Sequence, residues 1–217
     1  MLRIKLLSVL VGLVLITGCA GKLQYMPPTE SPSLQNSITI NTGKNELWKT
    51  IAPALGKSFF VINNLDKDSG IINVSYSGDP EKYIDCGRIN SYVKNARGER
   101  TYDFPASKAN QYYEVMDLEH GAGLLFIDRR MNLEGRINII VEEISSDTIK
   151  ITINTKYVLT KSITQRNTQG GQRSLSDTIS FVSGQKSEFP NPNARTICQP
   201  NGTLENEILY ILKSYSK

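Results

Sequence analysis

The apolar pattern of this chain predicts an α+β fold: an antiparallel β-sheet packed against two or so helices, after a signal peptide and a flexible tether. Three observations lead there. From Thr148 onward Ile149, Ile151, Ile153, Tyr157, Leu159 and Ile163 share one parity, as in a long antiparallel strand with one wet face. Two stretches, near Leu47 and near Leu204, instead carry apolar residues at helical spacing. Strands and helices are segregated along the chain rather than alternating, which favours α+β over a parallel α/β design. Of 217 residues 39% are hydrophobic, enough for a packed core.

The N-terminus comes first. Arg3 and Lys5 precede an apolar run from Leu6 to Ile16, a charged start and short hydrophobic stretch that match a secretory signal. The run falls short of the roughly 20 residues that a membrane-spanning helix needs. Ile16-Thr17-Gly18-Cys19 follows, and it resembles the lipobox of bacterial lipoproteins. The resemblance implies cleavage between Gly18 and Cys19, so that residues 1–18 are a lipoprotein signal peptide. It also implies a diacylglyceryl group on the Cys19 thiol and an acyl chain such as palmitate on its new amino group. The alternative is an ordinary signal peptide with a chance cysteine. Ala20, where an aspartate would retain the protein in the inner membrane, implies an anchor in the outer membrane, at its inner leaflet facing the periplasm. Two acyl chains suffice for stable anchoring.

Residues 19–36, polar and carrying Pro27, Pro28 and Pro32, read as the lipidated cysteine and a flexible tether. A single periplasmic domain is expected over 37–217. Ser37 to Asn41 alternates as a half-buried strand. Asn45 is placed to cap a helix with Glu46 in its first turn, and Leu47, Trp48, Ile51, Ala52 and Leu55 make its apolar face. Pro53 predicts a kink or an early end. Phe59 to Asn63 and Gly70 to Tyr76 read as a hairpin around an Asp66–Gly70 turn. Tyr83 to Gly87 reads as a further short strand. Residues 88–123 lose periodicity and are expected to be an irregular excursion. Leu124 to Arg130 and Arg136 to Ile144 read as two strands, Gln165 to Asp177 as a mobile loop, and Thr178 to Ser183 as a return strand. Leu204, Ile208, Ile211, Leu212 and Tyr215 form the stripe of a last helix.

The opening segment, residues 37–76, resembles BamC-like helix-grip domains of outer-membrane lipoproteins. The likeness is carried by Glu46-Leu47-Trp48, Phe60-Val61-Ile62, Asp66 to Gly70 and Ile71 to Val74. It covers about a fifth of the chain. It implies a helix-grip-like arrangement and an accessory role in an envelope protein assembly. BamC has two such domains and no matching cysteine pair, so no binding residue is carried over.

With Cys19 assigned to lipid, Cys86 and Cys198 are the only intramolecular pair left, and an oxidising compartment favours their disulfide. Two free thiols are the other reading. Loss of Arg3 and Lys5 leaves 23 Lys plus Arg against 21 Asp plus Glu, a net charge of +2, which gives no expectation of nucleic acid as a partner.

Chemistry is sparse. The chain has no GxxxxGK[ST], HExxH, GxSxG or CxxC, and its one histidine, His120, excludes a multi-histidine metal site. Adjacent Glu142 and Glu143 point to opposite faces of a strand. Asp66 and Asp68 lack calcium-loop spacing. Asn201-Gly202-Thr203 reads as helix-start chemistry. No catalytic residue, metal or cofactor is expected. The tyrosine-rich stretch Tyr92, Tyr102, Phe104, Tyr112 and Tyr113 is the candidate interaction surface, because tyrosine pairs an apolar ring with a polar tip. The expected role is non-enzymatic: a membrane-anchored accessory or scaffold that binds envelope proteins. The alternative is a periplasmic ligand-binding module or enzyme acting on cell-wall or carbohydrate material.

Overall fold

The computed structural model describes residues 19–29, 34–58, 60–190 and 195–214. Residues 1–18, where a signal peptide is expected, lie outside them, as do Phe59, Pro32, Pro192 and Tyr215. The fold is α+β and antiparallel, as expected. Its spine is one hairpin of two long strands, β9 (Gly123–Ser145) and β10 (Thr148–Asn167), paired from Leu125↔Asn167 to Thr148↔Ser145.

The alternation predicted for β10 holds. Ile149, Ile151, Ile153, Tyr157 and Leu159 are fully buried, and Thr155 and Lys161 complete the same phase. Opposite them β9 presents Val141, Ile139, Ile137, Leu133, Met131 and Arg129 to the same interior. The two strands expected at 124–130 and 136–144 are therefore one. Period-2 alternation continues through Gly135. Gly135 lies opposite Tyr157 and within reach of Tyr76 and Leu204. A Cβ at this point would make ordinary contacts, 3.5 Å from Leu204 Cδ2 and 3.8 Å from Tyr76 Cβ.

The spine has two halves. At the end nearer its turn, β9 pairs with β4 (Ile71–Gly78), β4 with β3 (Val61–Asp66), and β10 with β2 (Ser37–Ile40). Two helices, α1 (Lys44–Gly56) and α2 (Thr203–Ser214), pack with this half. At the other end β9 pairs with β8 (Asn110–Asp117) and β10 with β11 (Gln172–Val182). The loop expected over 165–177 is thus strand, except for the turn near Gly170. Across β10 and β11 the hydroxyls of Thr160–Thr178, Ser162–Ser176 and Thr164–Ser174 meet at 3.1 to 3.2 Å, so polar side chains satisfy one another without an apolar cluster.

Three further corrections concern 19–123. Ala20–Met26 is a strand, β1, and not part of a flexible tether; it pairs with β6 (Arg88–Asn95), which pairs with β7 (Gly98–Pro105). Residues 88–123 are consequently ordered strands β6, β7 and β8 rather than an irregular excursion. Their periodicity was obscured because β8 buries the adjacent pair Tyr113 and Glu114, which point to opposite faces. Gly43 rather than Asn45 is the N-cap of α1, without a side-chain cap, and the helix runs through Pro53 to Gly56. Leu47, Trp48, Ile51 and Leu55 are its buried face, joined by Ala54 in place of Ala52. Tertiary packing of that face overrides the donor that proline removes.

Of the 83–87 stretch only Ile84–Asp85 is strand (β5), pairing with β13 (Thr196–Pro200), which also pairs with β12 (Ser187–Phe189). Cys86 and Cys198 are bonded to each other and wholly buried. Asp66 accepts the Asp68 and Ser69 amides, the turn chemistry expected of it, and the Ser69 side chain, then these amides, hold its carboxyl below the usual range. No helix among the described residues is long and apolar enough to cross a membrane.

Candidate interaction groove

A groove of about 670 Å³ lies between α2 and the segment entering β5. One wall is the turn at 79–83. Tyr83 and Ile84 donate their amides to Pro80 O, while Asp79 accepts the Glu81 amide. The start of α2 is locked to this turn. Asn201 donates its amide to Tyr83 O at 3.0 Å and its side-chain Nδ2 to Lys82 O at 2.9 Å, while its Oδ1 accepts the Thr203 amide at 3.0 Å. That is the helix-start role expected of Asn201-Gly202-Thr203. The Cys86–Cys198 bond fastens the same two segments covalently a few residues away.

Phe60 and Ser58 line the groove from the α1–β3 connection, and α2 contributes Asn206, Glu207, Tyr210 and Ile211. The lining is mostly apolar, with Tyr210 74% exposed at the rim. Glu207 is the fixed polar group. It accepts from the Tyr83 hydroxyl at 2.8 Å and pairs with Lys82 Nζ at 2.5 Å. Burial, then the bond to Glu207, pushes the Tyr83 hydroxyl up to about 12, and the same carboxylate raises the Lys82 ammonium. Tyr83 is further held edge-on to Tyr76, with ring centres 5.0 Å apart. Glu207 is thus held by both Tyr83 and Lys82, which gives the groove a preorganised polar rim.

Beneath α2 lies a second acidic group. Glu205 is fully buried in the first turn of the helix, where the positive end of the dipole favours a carboxylate. Its Oε1 accepts from the Tyr157 hydroxyl and from Ser183 Oγ, both at 2.7 Å. Desolvation and this carboxylate raise the Tyr157 hydroxyl strongly.

In the other half of the molecule two cations are buried on the inner face of the spine. Arg129 is 2% exposed, and neither of its terminal nitrogens meets an acceptor among the described residues. Burial lowers its guanidinium to about 10. Lys161 is 3% exposed, with its ammonium 4.3 Å above the Phe189 ring. Burial, then repulsion by Arg129, brings it down to about 8, against an upward pull from Asp177.

The five residues of the expected interaction surface are divided by the fold, and none lines the groove. Phe104 and Tyr113 are core residues packed on each other, with ring centres 5.1 Å apart, so they leave the candidate surface. Tyr102 meets Tyr112 edge-on; Tyr112 is exposed, and Tyr92 stands half-buried on the outer face of β6 beside Glu99. His120 is exposed and its ring meets Asp117 at 3.0 Å. No cluster of three or more potential metal ligands occurs among the described residues. A second, polar hollow of about 300 Å³ lies around Asn110, Arg130, Asn132 and Thr160. The groove residues escaped sequence reading, although one signal existed: Tyr210 falls off the apolar stripe of α2, an aromatic on the polar side of a helix.

Comparison with protein-family models, with curated proteins and with solved structures gave no match.

Proposed function

We propose that this chain is a lipoprotein, acylated at Cys19 and held at the outer membrane, which acts without catalysis as an accessory in an envelope protein assembly and binds its partner in the α2 groove. The lipobox-like Ile16-Thr17-Gly18-Cys19 supports the anchor, and Cys19 stands exposed and unbonded ahead of β1. The observation that carries the binding role is the groove itself: about 670 Å³, apolar in lining, with a 74%-exposed tyrosine beside a carboxylate already fixed by two partners. Concave apolar sites with a few placed polar groups are the usual form of a binding site, and exposed tyrosine is a frequent anchor.

Affinity capture from detergent-solubilised envelopes, with wild type beside Tyr210→Ala, tests the reading. A set of envelope proteins held by wild type and lost from the variant is the expected result. Recovery of the protein alone, or an identical set with both, counts against it.

The tyrosine lining also favours a second reading, a periplasmic module that binds cell-wall or carbohydrate material, since sugar rings stack on such faces. Titration calorimetry with soluble cell-wall fragments decides between the two. Saturable binding that Tyr210→Ala abolishes selects the ligand reading.

A further inference from the structure

We propose that the end of the molecule bearing Cys19 is a lipid-contacting face, with Lys22, Tyr92, Lys94 and Arg97 lying among the phosphate headgroups. The inference rests on the acylation of Cys19 proposed above. A flexible tether from Cys19 to Asn36 would average about 20–25 Å and hold the domain away from the bilayer. Instead Ala20 is already in β1, opposite Lys94 on β6. The link between lipid and fold is then one residue, about 3.8 Å between Cα atoms. The β6–β7 turn closes at Asn95↔Gly98, one position beyond that pair, so acyl chains on Cys19 bring this turn to the membrane surface.

The chemistry of this end suits a headgroup layer. Lys22 and Arg97 are exposed, and neither forms an ion pair among the described residues. Lys94 is exposed as well and pairs with Glu99 at 2.6 Å. Tyr92 lies opposite Lys22, presenting the aromatic ring and polar tip that membrane interfaces favour. Close packing fixes the orientation. A Cβ on Gly21 would come 2.3 Å from Met116 Cβ, so β1 lies directly over β8 and cannot swing free as a linker would. That contact also places the loop after β8, with Leu118 at 56% exposure, at the same end. Glu99, Asp117 and Glu119 are the acidic groups there. Glu99 is paired with Lys94, and Asp117 accepts the His120 amide, so Asp117 and Glu119 are the carboxylates that oppose Lys22 and Arg97.

The test uses the acylated lipoprotein purified from membranes and reconstituted in phosphatidylcholine–phosphatidylglycerol vesicles containing a headgroup-nitroxide lipid. The native fluorophore, Trp48, is buried on α1 in the other half of the molecule and supplies the background. Ala96→Trp reports on the β6–β7 turn; Lys67→Trp reports on the β3–β4 turn at the opposite end. At least threefold stronger quenching of the residue 96 signal than of the residue 67 signal is expected, lessened at least twofold by Lys22→Glu with Arg97→Glu. Equal quenching at both positions with Cys19 acylated, read by mass spectrometry of the same sample, overturns the lipid face and leaves the anchor standing. An unacylated Cys19 overturns both.

Discussion

Lys161→Met should stabilise this protein. Lys161 is 3% exposed, sits across from Asp177 without an ion pair, and shares its face with Arg129. Its ammonium gains contact with the Phe189 ring at 4.3 Å, an interaction typically contributing about 0.5–2 kcal/mol. Desolvation outweighs that gain, because the group falls from 10.5 to about 8. At about 1.4 kcal/mol per tenfold, holding the charge inside costs about 3 kcal/mol. Methionine keeps the length and apolar stem, places sulfur near the Phe189 ring and removes the charge. A gain of about 1–3 kcal/mol near neutral pH is expected.

The sign with pH follows from the lowered value. Between about 8 and 10.5 the unfolded chain holds the proton that the folded chain has released, so wild-type stability rises with pH across that window. Below about 8 both states are charged and the full penalty is present, so the advantage of the variant shrinks as pH climbs. Urea denaturation of both proteins near pH 7 and near pH 9.5 measures this. A variant less stable than wild type by more than about 1 kcal/mol near neutrality would falsify the reasoning, and so would a gain independent of pH.

Four further outcomes are expected. Cys86→Ala with Cys198→Ala opens a loop spanning a sequence separation of 112 and should cost about 4–5 kcal/mol in the chain-entropy model, read by urea denaturation without reductant. Gly87→Ala places a Cβ 2.0 Å from Met26 O at a φ of +74°, so β1 should detach at its end and its amides exchange faster. The left-handed conformation alone adds about 1–2 kcal/mol to that cost. Tyr157→Phe leaves Ser183 as the one remaining hydroxyl donor to the buried Glu205 and should destabilise by about 1–3 kcal/mol in thermal unfolding. Tyr210→Ala, at a 74%-exposed position, should leave stability within about 0.5 kcal/mol of wild type while weakening partner capture, which separates a binding role from a structural one.

What the sequence determined by itself was whatever short-range periodicity and covalent chemistry record. The parity of Ile149 to Ile163 specified β10 and its buried face, the Leu204–Leu212 stripe specified α2, and Asp66 to Gly70 specified a turn, because each pattern is read within one element. The Cys86–Cys198 bond, expected by elimination with two free thiols as the other reading, is present. The tertiary structure decided everything that depends on a distant neighbour. Ala20–Met26 is a strand because β6 offers an edge to it, and Tyr25 is pinned by its hydroxyl 3.0 Å from Cys86 O and 2.8 Å from the Ile197 amide, 172 positions away. Tyr113 and Glu114 are both buried because Tyr113 packs on Phe104 while Glu114 pairs with Arg100 and its carbonyl accepts Ser91 Oγ, which erases the alternation by which strands are recognised. The groove likewise joins Phe60, Tyr83 and Tyr210, which no local pattern links; only the docking of α2 against the 79–83 turn brings them to one surface.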